Sequence, residues 1–563
     1  MLKKQILQTI QDHRKGIFIL IMLNLIIPPL EIGVLGLIYL ILSGTNVTNT
    51  LNIIGGYVGI SFSLEHSLWP IVTLALATLV IIIIWAFLRL YRTIVNAKTR
   101  YNILTSQERE VVSLYFSITG NANLKENPEE TSNLLLQLSG ALAAYMMAWI
   151  GVTSALTSIL MMSITAMFTN PIITSLAIAL GIISIIINSE NFKRMQSIGQ
   201  IKVATNEEML YEVNQNIRGF EIVKFDNLKH VVMQKMNKII EKDKQWRVDK
   251  RTTGERVGVL SDSFGLISLL SIISISIMLL SVPVETLLIL ILMFSRLRSY
   301  TSEFQTHWVN TKEYKSGTYK LIDAKNRFKR NSPVDQKPIA SINSIILEDV
   351  SFAFDEELIL NNISMEVSKG DQILITGQSG NGKSTLLKLI AGYYHPNAGD
   401  VNFRSNISDC DQSTTIKTSD HIFYASNEMY LPNVTLRDFI DPQSHYYELE
   451  IENIIRRACL EELLEDEHSL KKPIGDNGCN LSLGQRQRLI IARIYTRQPS
   501  VVILDEVTSN LDDSTEKRVL NNLIDYLNSE TIILVSSHHR PPILSFNKTC
   551  QLSPKGIIEA STL

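Results

Sequence analysis

The sequence predicts an all-α membrane domain of six transmembrane helices fused to a cytosolic α/β domain of the P-loop type. Three observations lead to this prediction. Apolar runs crowd residues 16–296, and lysine and arginine flank these runs on one side only. Beyond about residue 343, short apolar strands alternate with helices around a glycine-rich loop. At 563 residues the chain is too long for one domain.

Six apolar segments reach or approach the roughly 20 residues that a bilayer span needs. The first is too long for a signal peptide and lacks a small-residue cleavage site. The fourth and sixth have the shortest apolar cores. We assign residues 1–320 to the membrane domain, with spans at about 16–42, 69–88, 141–168, 171–188, 257–281 and 284–300.

The distribution of lysine and arginine predicts the orientation. The loops after the first, third and fifth spans contain neither residue. Basic residues instead precede the first span and follow the second and fourth: Lys3, Lys4, Arg14, Lys15, Arg89, Arg92, Lys98, Arg100, Lys193, Arg194 and Lys202. Because basic residues favour the cytoplasmic side, both termini are predicted in the cytoplasm.

The two predicted cytoplasmic loops, at about 90–140 and 189–256, are long and helical in character. In the second, the stretch "NIRGFEIVKFDN" (216–227) interrupts the helical pattern at Gly219. Two interpretations stay open at this point: a corner between two helices, or a short helix that docks on a partner domain.

Charged side chains inside a span are costly and are functional candidates. Glu31 follows Pro28 and Pro29 in the first span, and we expect it either to face a water-filled cavity or to pair with a cation such as Arg296 in the sixth. Our hypothesis is that Glu31 and Arg296 belong to a substrate path. Asp262, near the inner end of the fifth span, is read as interfacial.

Composition excludes some classes of function. The net charge is −2, and no basic stretch is interleaved with aromatic residues, which argues against nucleic-acid binding. The four cysteines, Cys410, Cys459, Cys479 and Cys550, match neither a metal site nor a disulfide framework, so the C-terminal half is predicted to be reduced and cytosolic.

After a polar linker at 321–343, the C-terminal domain is predicted over 344–563. The run "QILITGQSGNGKSTLLKLI" reads as strand, glycine-rich loop and helix, with the Walker A pattern starting at Gly377. Backbone N–H groups of such a loop wrap phosphates, Lys383 would neutralise their charge and Ser384 would bind Mg²⁺. The predicted ATP-binding residues of the loop are Gly377, Gln378, Ser379, Gly380, Asn381, Gly382, Lys383, Ser384 and Thr385.

The run "PSVVILDE" predicts a buried strand that ends in two acids. Asp505 would hold Mg²⁺ through water, and Glu506 would polarise the attacking water as general base. Farther on, "SSHHR" puts histidines at the end of the strand "TIILV", where a residue can sense the γ-phosphate.

The stretch "NLSLGQRQRL" reads as a helix start in which Ser482 is the N-cap and Gln485 closes a capping box. Taken alone, it is either a well-capped surface helix or a helix N-terminus that receives an anion.

The order of these motifs resembles the ATP-binding cassette (ABC) ATPases, and with six spans ahead the whole chain resembles a half-size ABC exporter. The resemblance implies that "LSLGQ" is the family's signature, so that Ser482, Gly484 and Gln485 contact ATP bound by a second chain. It also implies that Phe354 stacks on adenine, that Asp512 lies in the loop between the two ATP sites, and that residues 216–227 form a coupling helix. His538 aligns best with the catalytic switch histidine, with His539 as the competitor, and Asn427 occupies the Q-loop position. Two chains are needed, and a homodimer is expected, although a heterodimer stays open.

Three positions depart from the family pattern. Leu483 replaces the first glycine of the signature, which places a Cβ near the phosphate. Asn427 is one methylene shorter than the usual glutamine, and Phe354 lacks the hydroxyl of the usual tyrosine. Glu506 and a switch-histidine candidate are both present, so the site is read as active.

Two stretches bear on the cargo. "IPPLEIGVLGLIYLIL" and "FSRLRSYTSEFQTHW" resemble lipid-linked oligosaccharide flippases and related polysaccharide transporters, which implies an amphiphilic substrate taken from the membrane. The alternatives are an exporter of peptides, antimicrobials or small molecules, and an ABC-type channel or sensor without transport. The predicted location is a bacterial inner or plasma membrane, with the ATPase domain in the cytoplasm.

Overall fold

The computed structural model describes residues 2–43, 69–118, 120–121, 131, 134, 138–278, 284–332, 341–354, 357–405, 420–427, 429–466, 468–537, 546–553 and 556–562. The chain divides into two units. The N-terminal unit comprises Met1–Ser117 and Glu126–Arg330, and the C-terminal unit comprises Asn331–Leu563 together with Ile118–Lys125.

The N-terminal unit is helical throughout its described residues, as predicted. Helices begin where local chemistry favours them. At Asn170, for example, the side chain accepts hydrogen bonds from the backbone N–H groups of Ile172 and Ile173, and Pro171 occupies the first helical turn. The helices are α1 (Leu2–Asp12), α2 (Arg14–Ser43), α3 (Trp69–Phe116), α4 (Ser139–Thr169), α5 (Pro171–Ile187), α6 (Ser189–Arg218), α7 (Phe220–Phe225), α8 (Lys229–Met278) and α9 (Val284–Asn331).

Five helices in the described part of this unit are long and apolar enough to cross a membrane: Arg14–Ile38, Val72–Phe116, Ser139–Thr169, Pro171–Arg218 and Lys229–Met278. Each of them overlaps one of the first five predicted spans, and the second, fourth and fifth helices extend well beyond the predicted bounds. The sixth predicted span, 284–300, lies in α9, which is helical but is not among these five. Glu285, Arg296 and Arg298 make that segment less apolar than the other five.

The predicted linker needs a correction. Helix α9 continues through Asn331, so the first half of the proposed linker 321–343 is helix. The reason is tertiary packing. Leu321, Ile322 and Phe328 are buried, so one face of this helical stretch is apolar although its average composition is polar. The remainder, at 333–340, lies outside the described residues.

The C-terminal unit contains strands and helices in the order that the sequence predicts around its motifs. Its strands are β1 (Ser344–Phe354), β2 (Glu357–Ser368), β3 (Gln372–Thr376), β4 (Ala398–Arg404), β5 (Ile422–Ser426), β6 (Val501–Asp505), β7 (Ile532–Ser536), β8 (Lys548–Ser553) and β9 (Gly556–Thr562). Its helices are α10 (Lys383–Ile390), α11 (Leu436–Ile440), α12 (Glu448–Arg457), α13 (Leu483–Arg497) and α14 (Asp513–Tyr526), with three short 3₁₀ turns at Glu461–Leu463, Ser469–Lys471 and Asp476–Gly478.

The described residues of this unit form two sheets. Strands β2, β1 and β4 make an antiparallel sheet, and the larger sheet has the order β5-β6-β7-β3-β8-β9. Strand β6 is buried on both faces: Val501 and Ile503 point into one apolar cluster, and Val502 and Leu504 into another. Such two-sided burial is typical of a parallel strand covered by helices, and it explains why "VVILD" is apolar throughout.

The register of the parallel strands creates an edge where side chains from distant parts of the sequence meet. Ser426 of β5 pairs with Asp505 of β6, which pairs with Ser536 of β7. The next residues, Asn427 and Glu506, therefore leave neighbouring strands at the same edge. Ligands of open α/β sheets bind outside these carboxyl ends.

Candidate ATP site

The glycine-rich loop follows β3 and leads into α10, as predicted. Gly382 has a φ of 86°, and a Cβ there would lie 2.9 Å from Ile359, so the position requires glycine. At Gly380, by contrast, a Cβ would meet only open space. Asn381 anchors the loop by donating to the carbonyl oxygen of Leu552 at 3.1 Å. The space beside Gly380 is therefore open, in the loop that leads into the N-terminus of α10, where backbone N–H groups favour an anion.

Lys383 extends back over this loop. Its side chain is buried, its Nζ donates to the carbonyl oxygen of Gly377 at 2.9 Å, and the same Nζ lies 3.7 Å from Oε1 of Glu506. Glu506 has a φ of 54°, a left-handed conformation that is uncommon for a non-glycine residue and often marks functional sites. The fold thus brings together two predicted residues that are more than a hundred positions apart in the sequence.

Asp505 is held in one orientation. Oδ1 accepts from the Ser536 hydroxyl at 2.6 Å, and Oδ2 accepts from the Tyr424 hydroxyl at 2.7 Å. Sequence reasoning missed both partners. The signal that could have found them is their place at the carboxyl ends of strands on either side of β6.

Asn427, directly after β5, makes a contact that the sequence did not predict. Its Oδ1 accepts a hydrogen bond from Nε2 of Gln487 at 2.9 Å. Gln487 lies on α13, two residues beyond the predicted signature residue Gln485. A side chain at the edge of the sheet is therefore joined to the signature helix of the same chain.

The predicted capping box at the start of α13 is confirmed. The Gln485 N–H donates to Oγ of Ser482 at 3.2 Å, and the Ser482 N–H donates to Oε1 of Gln485 at 2.8 Å. Gln485 Nε2 also reaches Glu462 at 3.3 Å, and Arg488 contacts the same carboxylate at 2.8 Å. Glu462 was not predicted. Among the described residues, no hydrogen bond or ion pair joins Ser482, Gly484 or Gln485 to the Walker A loop.

Two departures from the family pattern have clear surroundings. Leu483 is 46% exposed, so its side chain is accommodated outside the core of its own chain. Phe354 stands at the end of β1 in an aromatic cluster, with its ring edge-on to Phe352 at 5.0 Å and to Tyr394 at 5.9 Å. Tyr394 in turn stacks on Phe352 at 5.2 Å.

The remaining predicted residues fall at three kinds of place. Asp512 is the N-cap of α14: it accepts from the Thr515 N–H at 3.0 Å, and hydrogen bonds from the Ser514 hydroxyl and from Thr515 lower the pKa of its carboxyl group. Ser384 is exposed and Thr385 is buried in the first turn of α10. His538 and its competitor His539 lie outside the described residues.

A segment from the first predicted cytoplasmic loop belongs to the C-terminal unit. Asn121 pairs with the backbone of His395, since its Nδ2 donates to the carbonyl oxygen and its Oδ1 accepts from the N–H, both at 2.8 Å. The Gly120 N–H donates to the carbonyl oxygen of Tyr393 at 3.1 Å. Sequence reasoning assigned docking to the second loop only and missed this contact.

In the N-terminal unit, Glu31 is buried and its Oε1 lies 3.0 Å from Nη1 of Arg296. The predicted pairing of these two residues is therefore present. The Tyr300 hydroxyl also donates to this carboxylate, which the sequence did not predict. Asp262 is largely exposed and lies 3.6 Å from Arg298.

These surroundings fit ATP and Mg²⁺. The open glycine loop, the buried Lys383 and the N-terminus of α10 suit a polyphosphate. No cluster of three or more metal-binding side chains occurs among the described residues. A hard cation held by one hydroxyl, one carboxylate and the phosphates of the substrate needs no such cluster, and Ser384 and Asp505 offer those two ligands.

Comparison with known proteins agrees with this geometry. Residues 360–509 match the family model "ABC transporter". The chain is 33% identical over 225 residues to the microcin-J25 export ATP-binding/permease protein McjD of Escherichia coli, a match that covers 39% of this chain and 37% of the relative. It is 36% identical over 197 residues to the ATP-dependent lipid A-core flippase of Pasteurella multocida, covering 34% of this chain and 33% of the relative. Both matches thus span only about a third of the relative's own length.

A solved bacterial Atm1-family ABC exporter with ATP bound superposes with a TM-score of 0.75 over 94% of both chains, at 16% identity. The chain therefore shares the fold of that solved structure, and residues 360–509 of its C-terminal unit match the ABC transporter family model.

Proposed function

We propose that this chain is one half of a dimeric, ATP-driven exporter that moves an amphiphilic substrate out of the cytoplasm or the inner leaflet. The observation that carries the ATPase part is the approach of Lys383 to Glu506 at the carboxyl edge of the sheet, above a loop shaped for phosphates. The relatives with printed roles include an export protein that is named as ATP-binding and a flippase that is named as ATP-dependent.

In the proposed reaction, Lys383 leaves the carbonyl oxygen of Gly377 and neutralises the β- and γ-phosphates. Glu506 accepts a proton from the attacking water, and Asn427 helps to orient that water. Mg²⁺ at Ser384 and Asp505 would supply further charge neutralisation. Tyr424 and Ser536 keep the Asp505 carboxylate in one rotamer, which reduces the reorganisation needed during the reaction.

The second chain follows from the signature. Ser482 and Gln485 begin α13 with their capping box, and we infer that this helix N-terminus serves ATP bound by a partner, most simply an identical chain. Helix α7 offers a docking element for such a partner, because Phe220, Ile222 and Phe225 are all more than half exposed on one short helix. Asn121 would link the first cytoplasmic loop to the segment after α10 in the same chain.

The ATPase test compares two ion pairs of the C-terminal unit in full-length protein in lipid. Glu506→Gln and Lys383→Ala should each lower Mg²⁺-ATPase turnover by at least about 100-fold, since they remove the general base and the phosphate charge. The matched controls, Glu530→Gln and Lys369→Ala, remove a pair that lies 2.8 Å apart on exposed surface and should leave turnover unchanged. Equal activity in all four variants would contradict the proposed site. Background activity in the unsubstituted chain would argue for a different second half.

The cargo is tested by transport. We expect ATP-dependent movement of a polyprenyl-pyrophosphate glycan in reconstituted vesicles, and a fall of at least about tenfold in Glu31→Ala, because a buried carboxylate between α2 and α9 is lost. Asp262→Asn is the matched control, since this carboxylate also faces an arginine of α9 but is largely exposed. Transport of a peptide and not of the glycan would favour the peptide-exporter alternative. Passive conductance without pumping would favour the channel alternative.

A further inference from the structure

The hydrogen bond between Asn427 and Gln487 differs in two ways from an ordinary polar contact on the protein surface. Gln487 is only 1% exposed, and its Nε2 makes its hydrogen bond to the exposed side chain of Asn427. Its Oε1 is buried and accepts no hydrogen bond within the described part of the chain. A buried amide that is only half satisfied is costly, so packing alone would favour an apolar residue here.

The position of Asn427 explains what the contact can do. Ser426 is in register with Asp505, so Asn427 and Glu506 leave adjacent strands side by side. A glutamine at position 427 could reach the reacting groups over one more methylene. Asparagine is one methylene shorter, so its Oδ1 and Nδ2 lie closer to the backbone. Which of these two atoms faces the reacting groups therefore depends more strongly on the rotation of the amide. The hydrogen bond from Gln487 occupies Oδ1 and thereby directs Nδ2 away from α13.

A second bridge joins the same two regions. The Leu431 N–H donates to Oδ1 of Asn477 at 3.3 Å, and the Tyr430 hydroxyl contacts Asp476. Asn477 and Asp476 lie in the turn that precedes the signature. The segment after β5 is therefore held to the signature region at two separate points, one of which ends on Asn427 itself.

We propose that Gln487 is a positioning residue for ATP hydrolysis: it sets the orientation of the Asn427 amide and makes that orientation depend on the position of the signature helix. In the proposed dimer the signature contacts ATP bound by the partner chain. Movement of α13 toward the partner would therefore change the orientation of the Asn427 amide in the chain's own site. This inference rests on the proposed function, in which Asn427 orients the attacking water.

The test replaces Gln487 by the isosteric, apolar methionine in the full-length protein. We expect Gln487→Met to lower kcat by about 10- to 100-fold, with KM for ATP changed less than about twofold, because positioning and not binding is lost. The thermal unfolding midpoint should stay the same or rise, since the substitution removes a buried amide oxygen without a partner. Gln487→Glu should not restore kcat, because a carboxylate can only accept and would turn the Asn427 amide around.

A double-mutant cycle shows whether Gln487 acts through Asn427. Asn427→Ala should lower kcat, and adding Gln487→Met should cause no further loss. Additive losses, or unchanged kcat in Gln487→Met, would overturn the inference. Gln372→Met is the matched control, because Gln372 also has a buried Oε1 without a partner among the described residues but starts β3 at the opposite end of the sheet.

A measurement that does not depend on turnover separates this inference from the proposed function. Amide hydrogen exchange in peptides covering 424–431 should become several-fold faster in Gln487→Met and stay unchanged in Gln372→Met. If Lys383→Ala and Glu506→Gln fail to reduce turnover, the proposed function falls, and exchange alone decides whether Gln487 holds this segment. Unaltered exchange in Gln487→Met would overturn the inference whatever the ATPase rates are.

Discussion

The two units of the chain place their large apolar side chains differently. In the C-terminal unit, apolar residues such as Ile491 and Ile503 are fully buried in two clusters that cover the sheet. In the N-terminal unit, large apolar residues of α3 point outward, and Ile83 is 60% exposed. Its buried positions include polar residues such as Asn188 and Gln305. The difference is the solvent: helices in a bilayer gain little from hiding apolar surface, and polar contacts and close packing hold them together.

Apolar runs therefore predict different surroundings in the two units. In the C-terminal unit a run such as that of β6 is buried in the core, whereas in the N-terminal unit many apolar side chains lie on the exposed faces of helices such as α3. A buried network of the N-terminal unit shows the contrast. Asn188 Nδ2 donates to Ser261 at 3.1 Å and to Gln305 at 3.2 Å, and Gln305 Nε2 donates to Ser184 at 3.1 Å. These groups join α5, α8 and α9, although nothing in the apolar pattern marks them.

The largest expected effect comes from making the same truncation in both units. Ile491→Ala should reduce the free energy of unfolding of the C-terminal unit by about 2–5 kcal/mol, because it leaves a cavity in a packed core. Ile83→Ala removes the same atoms from a side chain on the outer face of α3 and should change stability by less than about 0.5 kcal/mol. Thermal unfolding of both full-length variants in lipid or detergent measures the difference. Equal losses would show that α3 is covered by protein at this position.

The next prediction uses the native cysteines. Cys550 is buried, and burial raises the pKa of its thiol to about 11, which lowers the thiolate fraction near pH 8 by about 100-fold relative to an exposed thiol. Since the thiolate is the reactive form, Cys550 should resist alkylation in the folded protein, whereas the exposed Cys479 should react. Peptide-resolved mass spectrometry measures both rates. Mild denaturant should remove the difference, and a rapid reaction of Cys550 in native protein would mean that this core opens readily.

The smallest effect is expected for the polar interior of the N-terminal unit. Gln305→Leu should destabilise that unit by about 1–3 kcal/mol, although it makes the site more apolar, because Asn188 and Ser261 lose a buried acceptor. Gln234→Leu, at an exposed position of α8, is the matched control and should have almost no effect. The thermal midpoint in the same lipid measures both. If Gln305→Leu instead raised the thermal midpoint, burial of apolar surface would stabilise the N-terminal unit as it does the C-terminal unit.

Much of the candidate site could be predicted because it depends on local order in the chain. The strand, loop and helix around Lys383, the buried strand before Asp505 and the capping box at Ser482 all follow from short-range pattern, and the structure confirms these elements. The pairing of Glu31 with Arg296 was one of two alternatives, and the pair is present. The cargo, the second chain and the chemical roles of all the site residues, including Lys383, Glu506, Asn427, His538 and Asp512, stay predictions.

Other contacts were not predictable, because their partners come from distant parts of the sequence. Tyr424 and Ser536 meet Asp505 only through the register of three parallel strands. The helical start of the predicted linker was missed because Leu321 and Phe328 are buried by packing that a polar average conceals. Asn121 joins the C-terminal unit from a loop far earlier in the chain.

The sequence by itself indicated the class of the molecule through its apolar spans, the basic residues that predict their orientation, and the order of phosphate-binding motifs. Such features are local, since hydropathy, charge and hydrogen bonding within a few residues are enough to specify them. Only the tertiary structure decided that Lys383 approaches Glu506, that Gln487 holds Asn427, and that buried amides join the helices of the N-terminal unit. These contacts depend on which strands and helices lie side by side, and no short window of sequence contains that information.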